Sequence, residues 1–322
     1  MSVSFDNIIG QEGAKLKLGF FLKNYYRSGI IPPLLFTGPK GDGKTVLSES
    51  FSSKLITPSN PTKIKPLTII NCGGVKSFFQ LMTQILQPKI ENEVTLFFDE
   101  AAELPKDMMR EELLTILNPN KEHKNRLLFN GKDYVFDLRK ITWIFATSEP
   151  QKLFAAFLNR LERVDLEGYT REQLGKILLK YITPNQIHDE ALEDISDCFR
   201  GNARQSFQIA MSIKLYMDSH DRRILSLKEW NEIKTQLFIL PLGLLPSEVK
   251  ILGILEAGTG VSLTTLAAKT GQTMTAVQRD AEIYLLKNDL MKIEKANGRI
   301  ITENGRLILD RIKETYPRLL SK

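Results

Sequence analysis

The stretch "LLFTGPKGDGKTVL", residues 34–47, carries the strongest structural signal in this chain. It begins with an apolar run typical of a buried strand, continues through a glycine-rich turn, and ends in residues that begin a helix. The turn "GPKGDGKT" fits the pattern G-x-x-x-x-G-K-[ST] at every fixed position. In such a turn the backbone N–H groups converge on phosphate oxygens, and the helix adds its positive dipole end. The stretch therefore predicts that a nucleotide binds between a strand and a helix.

Each residue type in this turn has an expected role. Glycines allow the backbone to approach the phosphates closely. Lys44 supplies a positive charge at the β- and γ-phosphates, and the Thr45 hydroxyl binds Mg²⁺. ATP and Mg²⁺ are therefore the expected cofactors. The residues expected to bind the nucleotide within this stretch are Gly38, Gly41, Gly43, Lys44, Thr45 and Val46.

Two further strands end in polar residues suited to the same chemistry. "VTLFFDE" places Asp99 and Glu100 at the carboxyl end of a buried strand. We expect Asp99 to contribute to the Mg²⁺ shell and Glu100 to polarise the attacking water as a general base. "WIFATSEP" offers Thr147 and Ser148, either of which can orient that water or sense the γ-phosphate. Capping of the following helix by these two hydroxyls is the alternative.

Apolar runs and amphipathic stretches alternate through the first half of the chain, which predicts an α/β fold with a parallel sheet covered by helices. The buried-strand candidates are "PLLFTG", "LTIINC", "VTLFFDE" and "ITWIFATS". From residue 169 the pattern becomes helical, and Thr170 with Gln173 resembles a capping box. Proline and glycine at 241–246 mark a second boundary. The predicted domains are a large nucleotide-binding domain over 1–167, a small helical domain over 168–240 and a third domain over 241–322.

The third domain shows the order helix, turn, helix, hairpin. A turn at Gly271 joins the two helices, and Asn297-Gly298 is a strong hairpin signal. The second helix carries a predicted buried stripe of Val277, Ala281, Tyr284 and Leu285. The residues predicted to face outward are Thr275, Gln278, Arg279 and Glu282. This order is typical of a winged-helix module, most often a nucleic-acid reader. A wing that docks protein is the alternative, because one fold hosts many functions.

The composition is that of an ordinary soluble globular protein, with 42% hydrophobic and 25% charged residues over 322 positions. We expect no signal peptide from the opening "MSVSFDNIIG" and no membrane-spanning segment. The two cysteines and three histidines are scattered, so we expect no metal cluster and a reducing cytoplasm. A formal net charge of +6 permits a polyanionic partner without requiring one.

Several motifs together resemble the AAA+ ATPases, and specifically the RuvB family of motors that drive branch migration of Holliday junctions. "FDNIIGQEGAKLKLGFFL" is similar to a segment beside the adenine pocket, which implies contacts from Ile9 and Gly10. "LEGYT" matches a segment whose tyrosine, here Tyr169, packs on the nucleotide. "RGNARQS" resembles the segment that carries the lid arginine known as sensor 2, which falls on Arg204. "LFAAFLNRL" is similar to the segment whose arginine finger, here Arg160, reaches the γ-phosphate of a neighbouring subunit.

The resemblance implies an assembly and its partners. An arginine delivered by the next subunit requires a ring, and the family likeness implies a hexamer. The wing would bind duplex or branched DNA, and the residues assigned to phosphate contact are Lys292, Lys295 and Arg299. A RuvA-like or helicase protein is a further possible partner.

The sequence departs from the family pattern at three places, and these departures bear on what the ATPase would act upon. Ala101, Ala102 and Glu103 stand where the family has Ile-His-Arg. The hairpin "RLLFNGKDYVFDL", turned at Asn130-Gly131, is shorter than the family's partner-docking hairpin. Met274 stands near a DNA-contacting arginine of the family.

Two main hypotheses follow. The first is an ATPase of the helicase and translocase type that moves DNA in recombination, repair or replication. The second is a helicase loader or replication initiator that uses ATP as a switch on a protein client. A signalling ATPase whose wing docks protein is a third class. DNA-stimulated hydrolysis distinguishes the first from a loader, which responds to its client.

Overall fold

The computed structural model describes residues 4–183, 186–295 and 298–316. The chain divides into two compact units. The first unit comprises residues 1–173 and 201–204, and the second comprises residues 174–200 and 205–322. The three domain boundaries predicted from the sequence stay predictions.

Helices and strands alternate through the first unit, and helices dominate the second. The strands are β1 Leu34–Thr37, β2 Ile56–Thr57, β3 Asn60–Ile64, β4 Leu67–Asn71, β5 Val94–Asp99, β6 Lys124–Phe129, β7 Lys132–Asp137, β8 Ile141–Thr147, β9 Glu162–Asp165, β10 Met291–Glu294 and β11 Gly298–Ile301. The helices are α1 Glu12–Ser28, α2 Lys44–Ser52, α3 Phe78–Leu81, α4 Lys106–Arg110, α5 Glu112–Ile116, α6 Ala155–Leu158, α7 Arg171–Leu178, α8 Asp189–Asp197, α9 Ala203–Ser219, α10 Leu227–Leu237, α11 Pro246–Glu256, α12 Leu263–Thr270, α13 Met274–Ala276, α14 Ile283–Lys287 and α15 Glu303–Thr315. π-Helical stretches occur at Met82–Leu86 and Val277–Glu282.

One parallel sheet organises the described part of the first unit, in the strand order β4-β5-β8-β1-β9. Leu34 pairs with Ile144 on one side and with Glu162 on the other, so β1 lies between β8 and β9. Val94 pairs with Ile141, which places β5 beside β8. The predicted parallel sheet and its four predicted strands are confirmed. The edge strand β9 was not predicted.

The central strands are mostly apolar because both faces of the sheet are covered. Every residue of β8 is buried. Phe97 and Phe98 point to opposite faces, since successive strand residues alternate, and they belong to two separate apolar clusters. On one face the Phe98 and Phe145 rings stack with their centroids 4.8 Å apart. The sheet is therefore a rigid platform on which the strand ends are fixed.

The second unit contains the predicted helices and the predicted wing. One apolar core, which includes Leu252, Leu285 and Leu309, is shared by α11, α12, α14, α15, the π-helical stretch Val277–Glu282 and the β10–β11 hairpin. Met291 pairs with Ile301 across the hairpin. Asn297 of the predicted hairpin turn lies outside the described residues. The helix, turn, helix, hairpin order is thus present as predicted.

Within the described residues, no single helix has the length and apolar character needed to cross a membrane. One pair of helices, Leu227–Gly243 and Pro246–Glu256, meets that test only when joined across a 59° bend, by length and composition alone.

Candidate active site

The strand order brings three chain segments to one edge of the sheet. β1, β5 and β8 are parallel and adjacent, so the residues that follow them emerge at their shared carboxyl edge. These residues are the glycine-rich turn after β1, Asp99 and Glu100 at the end of β5, and Thr147 and Ser148 at the end of β8. Residues far apart in the sequence are therefore assembled by topology alone.

The glycine-rich turn has the backbone conformation of a phosphate-binding loop. Gly41 and Gly43 have φ angles of 88° and 86°, in the left-handed region that other residues rarely adopt. A Cβ atom at Gly43 would lie 3.3 Å from the Tyr169 hydroxyl. Helix α2 begins immediately afterwards, and Val46 in its first turn is half exposed at 55%. The loop is thus closely backed on one side and open at the helix N-terminus.

The Lys44 ammonium lies inside the loop. Its Nζ donates to the carbonyl oxygens of Gly38 and Pro39, each at 2.7 Å. Burial lowers the pKa of Lys44, and the nearby Arg204 charge lowers it further. The carboxylates of Asp42, Glu100 and Asp99 oppose this shift. The Lys44 side chain is thus folded back onto the loop by two carbonyl groups of the same loop.

Thr45 and the β5 carboxylates form the expected metal-binding corner. The Thr45 hydroxyl lies 3.4 Å from Asp99 Oδ2. Asp99 Oδ1 accepts from the Glu100 backbone N–H at 3.0 Å, which fixes the aspartate side chain. Glu100 has a φ of 55°, an uncommon backbone conformation for a residue with a side chain, and such conformations cluster at active sites. Hydroxyl and carboxylate oxygens are the donors that Mg²⁺ prefers, so these residues fit that ion.

The two hydroxyl residues at the end of β8 differ in their contacts. Thr147 Oγ1 accepts from the backbone N–H of Glu149 at 3.0 Å, so it caps the local turn. Ser148 Oγ is buried and has no hydrogen-bond partner among the described residues. Buried hydroxyls are nearly always paired, so an orphan needs an explanation. The Thr147 hydroxyl is thus engaged in the local turn, whereas the Ser148 hydroxyl is not.

Arg204 lies against the phosphate loop within the first unit. Its backbone N–H donates to the Gly41 carbonyl at 3.2 Å. A Cβ at Gly41 would lie 3.1 Å from Asn202 Oδ1 and 3.3 Å from Arg204 Cβ. The segment 201–204 thus follows the loop closely, which suits a lid arginine directed at phosphate. Asn202, which the sequence analysis did not select, completes this approach.

The amino-terminal segment is locked to the chain that follows β9. Gln11 Nε2 donates to Glu167 O at 2.7 Å, and Gln11 Oε1 accepts from Glu167 N at 2.9 Å. Gln11 is buried, and Gly10 before it has a φ of 63°. Ile9 is partly buried beside them. These two hydrogen bonds between Gln11 and Glu167 position the Ile9-Gly10 segment. Gln11 was missed as a site residue, although it belongs to the quoted motif.

Tyr169 also lies at the loop. Its hydroxyl donates to the Asp42 carbonyl at 3.2 Å. Burial is the main cause that raises the Tyr169 pKa above its usual value, so the phenol stays neutral and remains a donor. The capping box at the next helix is confirmed by reciprocal bonds between Thr170 and Gln173, at 3.0 and 3.2 Å.

Arg160 belongs to a different surface of the first unit. Its Nε donates to Leu114 O at 3.2 Å, and its Nη1 donates to Ala156 O at 3.0 Å. Its Nη2 lies 3.4 Å from Asn118 Oδ1. These contacts hold the guanidinium at the carboxyl end of α5, where the helix dipole favours a cation. An arginine held there suits presentation to a neighbouring molecule.

The wing departs from the predicted charge arrangement. Glu282 was predicted to face outward, and this prediction is wrong, because Glu282 is buried and paired with Arg299. Lys292 is paired with Glu294 at 2.7 Å. Lys295 is exposed, and no carboxylate pairs with it in the part of the chain that the structure describes. Of the three cations proposed for phosphate contact, Lys295 is thus the most available.

The strand order brings together a phosphate loop after β1, paired carboxylates at the end of β5 and a polar end of β8. This arrangement defines a P-loop ATPase of the AAA type. Residues 34–169 match the ATPase family associated with various cellular activities (AAA). The chain is 27% identical over 308 residues to the Holliday junction branch migration complex subunit RuvB of Campylobacter jejuni, which covers 92% of this chain and 87% of the relative. It is 27% identical over 321 residues to the corresponding subunit of Thermotoga maritima, covering 94% and 89%.

The solved structures agree on the fold. The structure of the Thermotoga maritima RuvB Holliday junction branch migration motor matches with a TM-score of 0.72 and 23% identity, covering 96% of this chain and 97% of the other. Residues 34–169 therefore match an AAA ATPase domain, and the chain is similar to RuvB subunits along nearly its whole length.

Proposed function

We propose that this protein is an ATP-driven DNA motor that hydrolyses ATP at the interfaces of a cytoplasmic ring and moves DNA at branched junctions. The observation that carries the proposal is likeness over 92% of the chain to branch migration subunits, combined with an assembled loop, carboxylate pair and lid arginine. A fold alone would not support a function, but these side chains perform the chemistry themselves.

The residues around the loop suit phosphoryl transfer, which depends mainly on positioning and charge. Lys44 and Arg204 would neutralise the phosphates. Thr45 and Asp99 would hold Mg²⁺, which supplies charge neutralisation and orients the phosphates when bound. Glu100 would orient and polarise the attacking water, and Ser148 would contact the water or the γ-phosphate.

Assembly into a ring is supported by the position of Arg160. Its contacts are to α5 and α6, on a surface separate from the loop of the same chain. An arginine supplied by a neighbouring subunit stabilises the charge that develops in the transition state. A hexamer is the number that the likeness to RuvB favours, and a RuvA-like partner is part of the same proposal.

One observation favours the second candidate function, a loader or initiator acting on a protein client. Lys292 is engaged by Glu294 of the wing itself, and Arg299 is engaged by Glu282 of the helical stretch beside it. Phosphate contacts supply most of the affinity for duplex DNA, so internal neutralisation weakens that grip. A protein client on the wing would not need those charges.

The test measures the ATPase rate against a panel of single-stranded, duplex and four-way-junction DNA, together with migration of a fluorescent synthetic junction. We expect stimulation by duplex and junction DNA and ATP-dependent migration, both lost in Lys44→Ala. Stimulation by none of these DNA forms, together with an immobile junction, would contradict the motor. A rate that rises only with an added replicative helicase would instead support the loader.

A further inference from the structure

The surface around Arg160 carries two more arginines. Arg110, at the end of α4, and Arg126, on β6, line the same open depression as Arg160, which has a volume of about 420 Å³. Three guanidinium groups on one shallow surface form a basic patch, against which Glu111 is the carboxylate of the lining. Such a patch fits a polyanion.

The floor of this depression is firmly built. Asn125 is buried, and its Nδ2 donates to Ile116 O at 2.8 Å and to Asn118 O at 3.0 Å. These bonds tie β6 to the end of α5. The same end of α5 also holds Arg160, so Arg160 and β6 are both bonded to one short segment of the chain. The backbone of Arg126 on β6 is therefore tied to the part of α5 that holds Arg160.

Both additional arginines keep donors available. The Arg110 guanidinium lies over the Phe154 ring, 5.2 Å from its centroid, a contact that leaves the N–H edges open. Arg126 is 77% exposed and pairs with an exposed Asp133 at 3.2 Å. Exposed pairs of this kind contribute little stability, so a phosphate can replace the carboxylate easily.

We propose that Arg110 and Arg126 act with Arg160 as one phosphate clamp on the triphosphate of the nucleotide bound to a neighbouring copy of this chain. The inference rests on the proposed ring, and it assigns the rest of the partner-facing surface. Guanidinium groups bind phosphate oxygens through paired N–H donors, so three of them lining one depression would bind several oxygens at once.

The experiment compares Arg110→Ala and Arg126→Ala with Arg160→Ala in the full-length protein. The matched control is Lys63→Ala, which removes one exposed positive charge outside the depression. We expect each new variant to slow ATP hydrolysis on the order of 10-fold, less than the finger variant does, with binding of an ATP analogue by single chains unchanged. Arg110→Lys should restore part of the rate.

Mixing with Lys44→Ala tests action between chains. A Lys44→Ala chain keeps an intact depression, so it should complete the nucleotide site of an Arg110→Ala or Arg126→Ala neighbour. The mixture should then exceed the summed rates of its components. A purely structural role within one chain predicts no such rescue.

The controls separate two kinds of failure. If Arg160→Ala is rescued by mixing but neither new variant differs from Lys63→Ala, the clamp is wrong and the ring stands. If Arg160→Ala itself is not rescued, the ring mechanism fails and the clamp falls with it.

Discussion

Arg200 and Glu248 form a two-bond ion pair inside the second unit. Arg200 Nη1 lies 2.5 Å from Glu248 Oε2, and Nη2 lies 2.6 Å from Glu248 Oε1. Glu248 is fully buried, and its Oε2 also accepts the Leu245 backbone N–H at 2.8 Å. The guanidinium stacks on the Tyr284 ring, 3.9 Å from its centroid. Arg200 is thereby joined to α11 through Glu248 and to α14 through Tyr284.

Removing this arginine should destabilise the second unit strongly. Arg200→Ala would leave the Glu248 carboxylate buried without its partner, at an expected cost of roughly 3–5 kcal/mol in the free energy of unfolding. Urea unfolding followed by circular dichroism measures this cost. Arg222→Ala is the control, since it removes an exposed arginine from Glu229, whose carboxylate keeps the Ser226 backbone N–H and hydroxyl as partners, and it should cost less than about 1 kcal/mol. Equal costs for the two variants would refute the account of this ion pair.

A buried lysine should make stability depend on alkaline pH. Lys65 is 1% exposed, and its Nζ donates to Arg139 O at 2.8 Å and to Thr142 Oγ1 at 3.2 Å. Burial lowers the Lys65 pKa from 10.5 to about 8. Between these two values the unfolded chain binds more protons than the folded chain, so stability rises with pH across that window. Below about pH 8 the folded protein bears the full cost of burying the charged Lys65 ammonium, roughly 3 kcal/mol.

Thermal unfolding of Lys65→Met and the parent protein at several pH values between 7.5 and 10.5 tests this sign. The stability difference should shift in favour of the parent protein as the pH rises, because the penalty on its ammonium disappears. Lys63→Met, two residues away and exposed, should track the parent protein at every pH. A stability difference between Lys65→Met and the parent protein that stays constant with pH would show that the pKa of Lys65 is not lowered.

Two variants at the end of β8 should separate a structural role of Thr147 from a role of Ser148 in ATP hydrolysis. Thr147→Val removes the oxygen that accepts the Glu149 N–H and should lower stability by about 1 kcal/mol. Ser148→Ala removes a hydroxyl with no partner among the described residues, so stability should hold while the ATPase rate falls. Melting temperatures and steady-state rates, measured on the same preparations, distinguish the two. A stable Ser148→Ala protein with an unchanged rate would remove Ser148 from the site.

The cations of the wing should likewise separate into a structural residue, Arg299, and a DNA-binding residue, Lys295. Arg299→Ala leaves Glu282 buried and unpaired, so it should mainly destabilise the second unit. Lys295→Ala should leave stability unchanged and weaken duplex binding with a smaller salt dependence. DNA affinity measured at several salt concentrations, alongside the melting temperature, checks both. An unaltered affinity in Lys295→Ala would favour a protein client for the wing.

Sequence patterns predicted the parts of this molecule that depend on local chemistry. The loop around Lys44 and the carboxylates after β5 follow from apolar strands that end in polar residues, and the parallel sheet brings them together. β9 was missed because Glu162 and Arg163 are polar, and the strand forms through pairing with the edge of β1.

Contacts between distant segments explain the other differences. Gln11 acts by binding the backbone of Glu167, and no short-range pattern signals such a bond. Glu282 was expected to face solvent because helical periodicity considers one helix alone. The β10–β11 hairpin covers that face and supplies Arg299 as its partner. The orphan hydroxyl of Ser148 likewise became visible only with the packing around it.

The dependence of the ATPase rate per chain on protein concentration, with sedimentation measured in parallel, tests most directly whether neighbouring copies complete the site. We expect a negligible rate while the protein is monomeric, and a rise that follows assembly and begins at lower concentration when branched DNA is present. A monomer that hydrolyses ATP at the full rate would contradict the account.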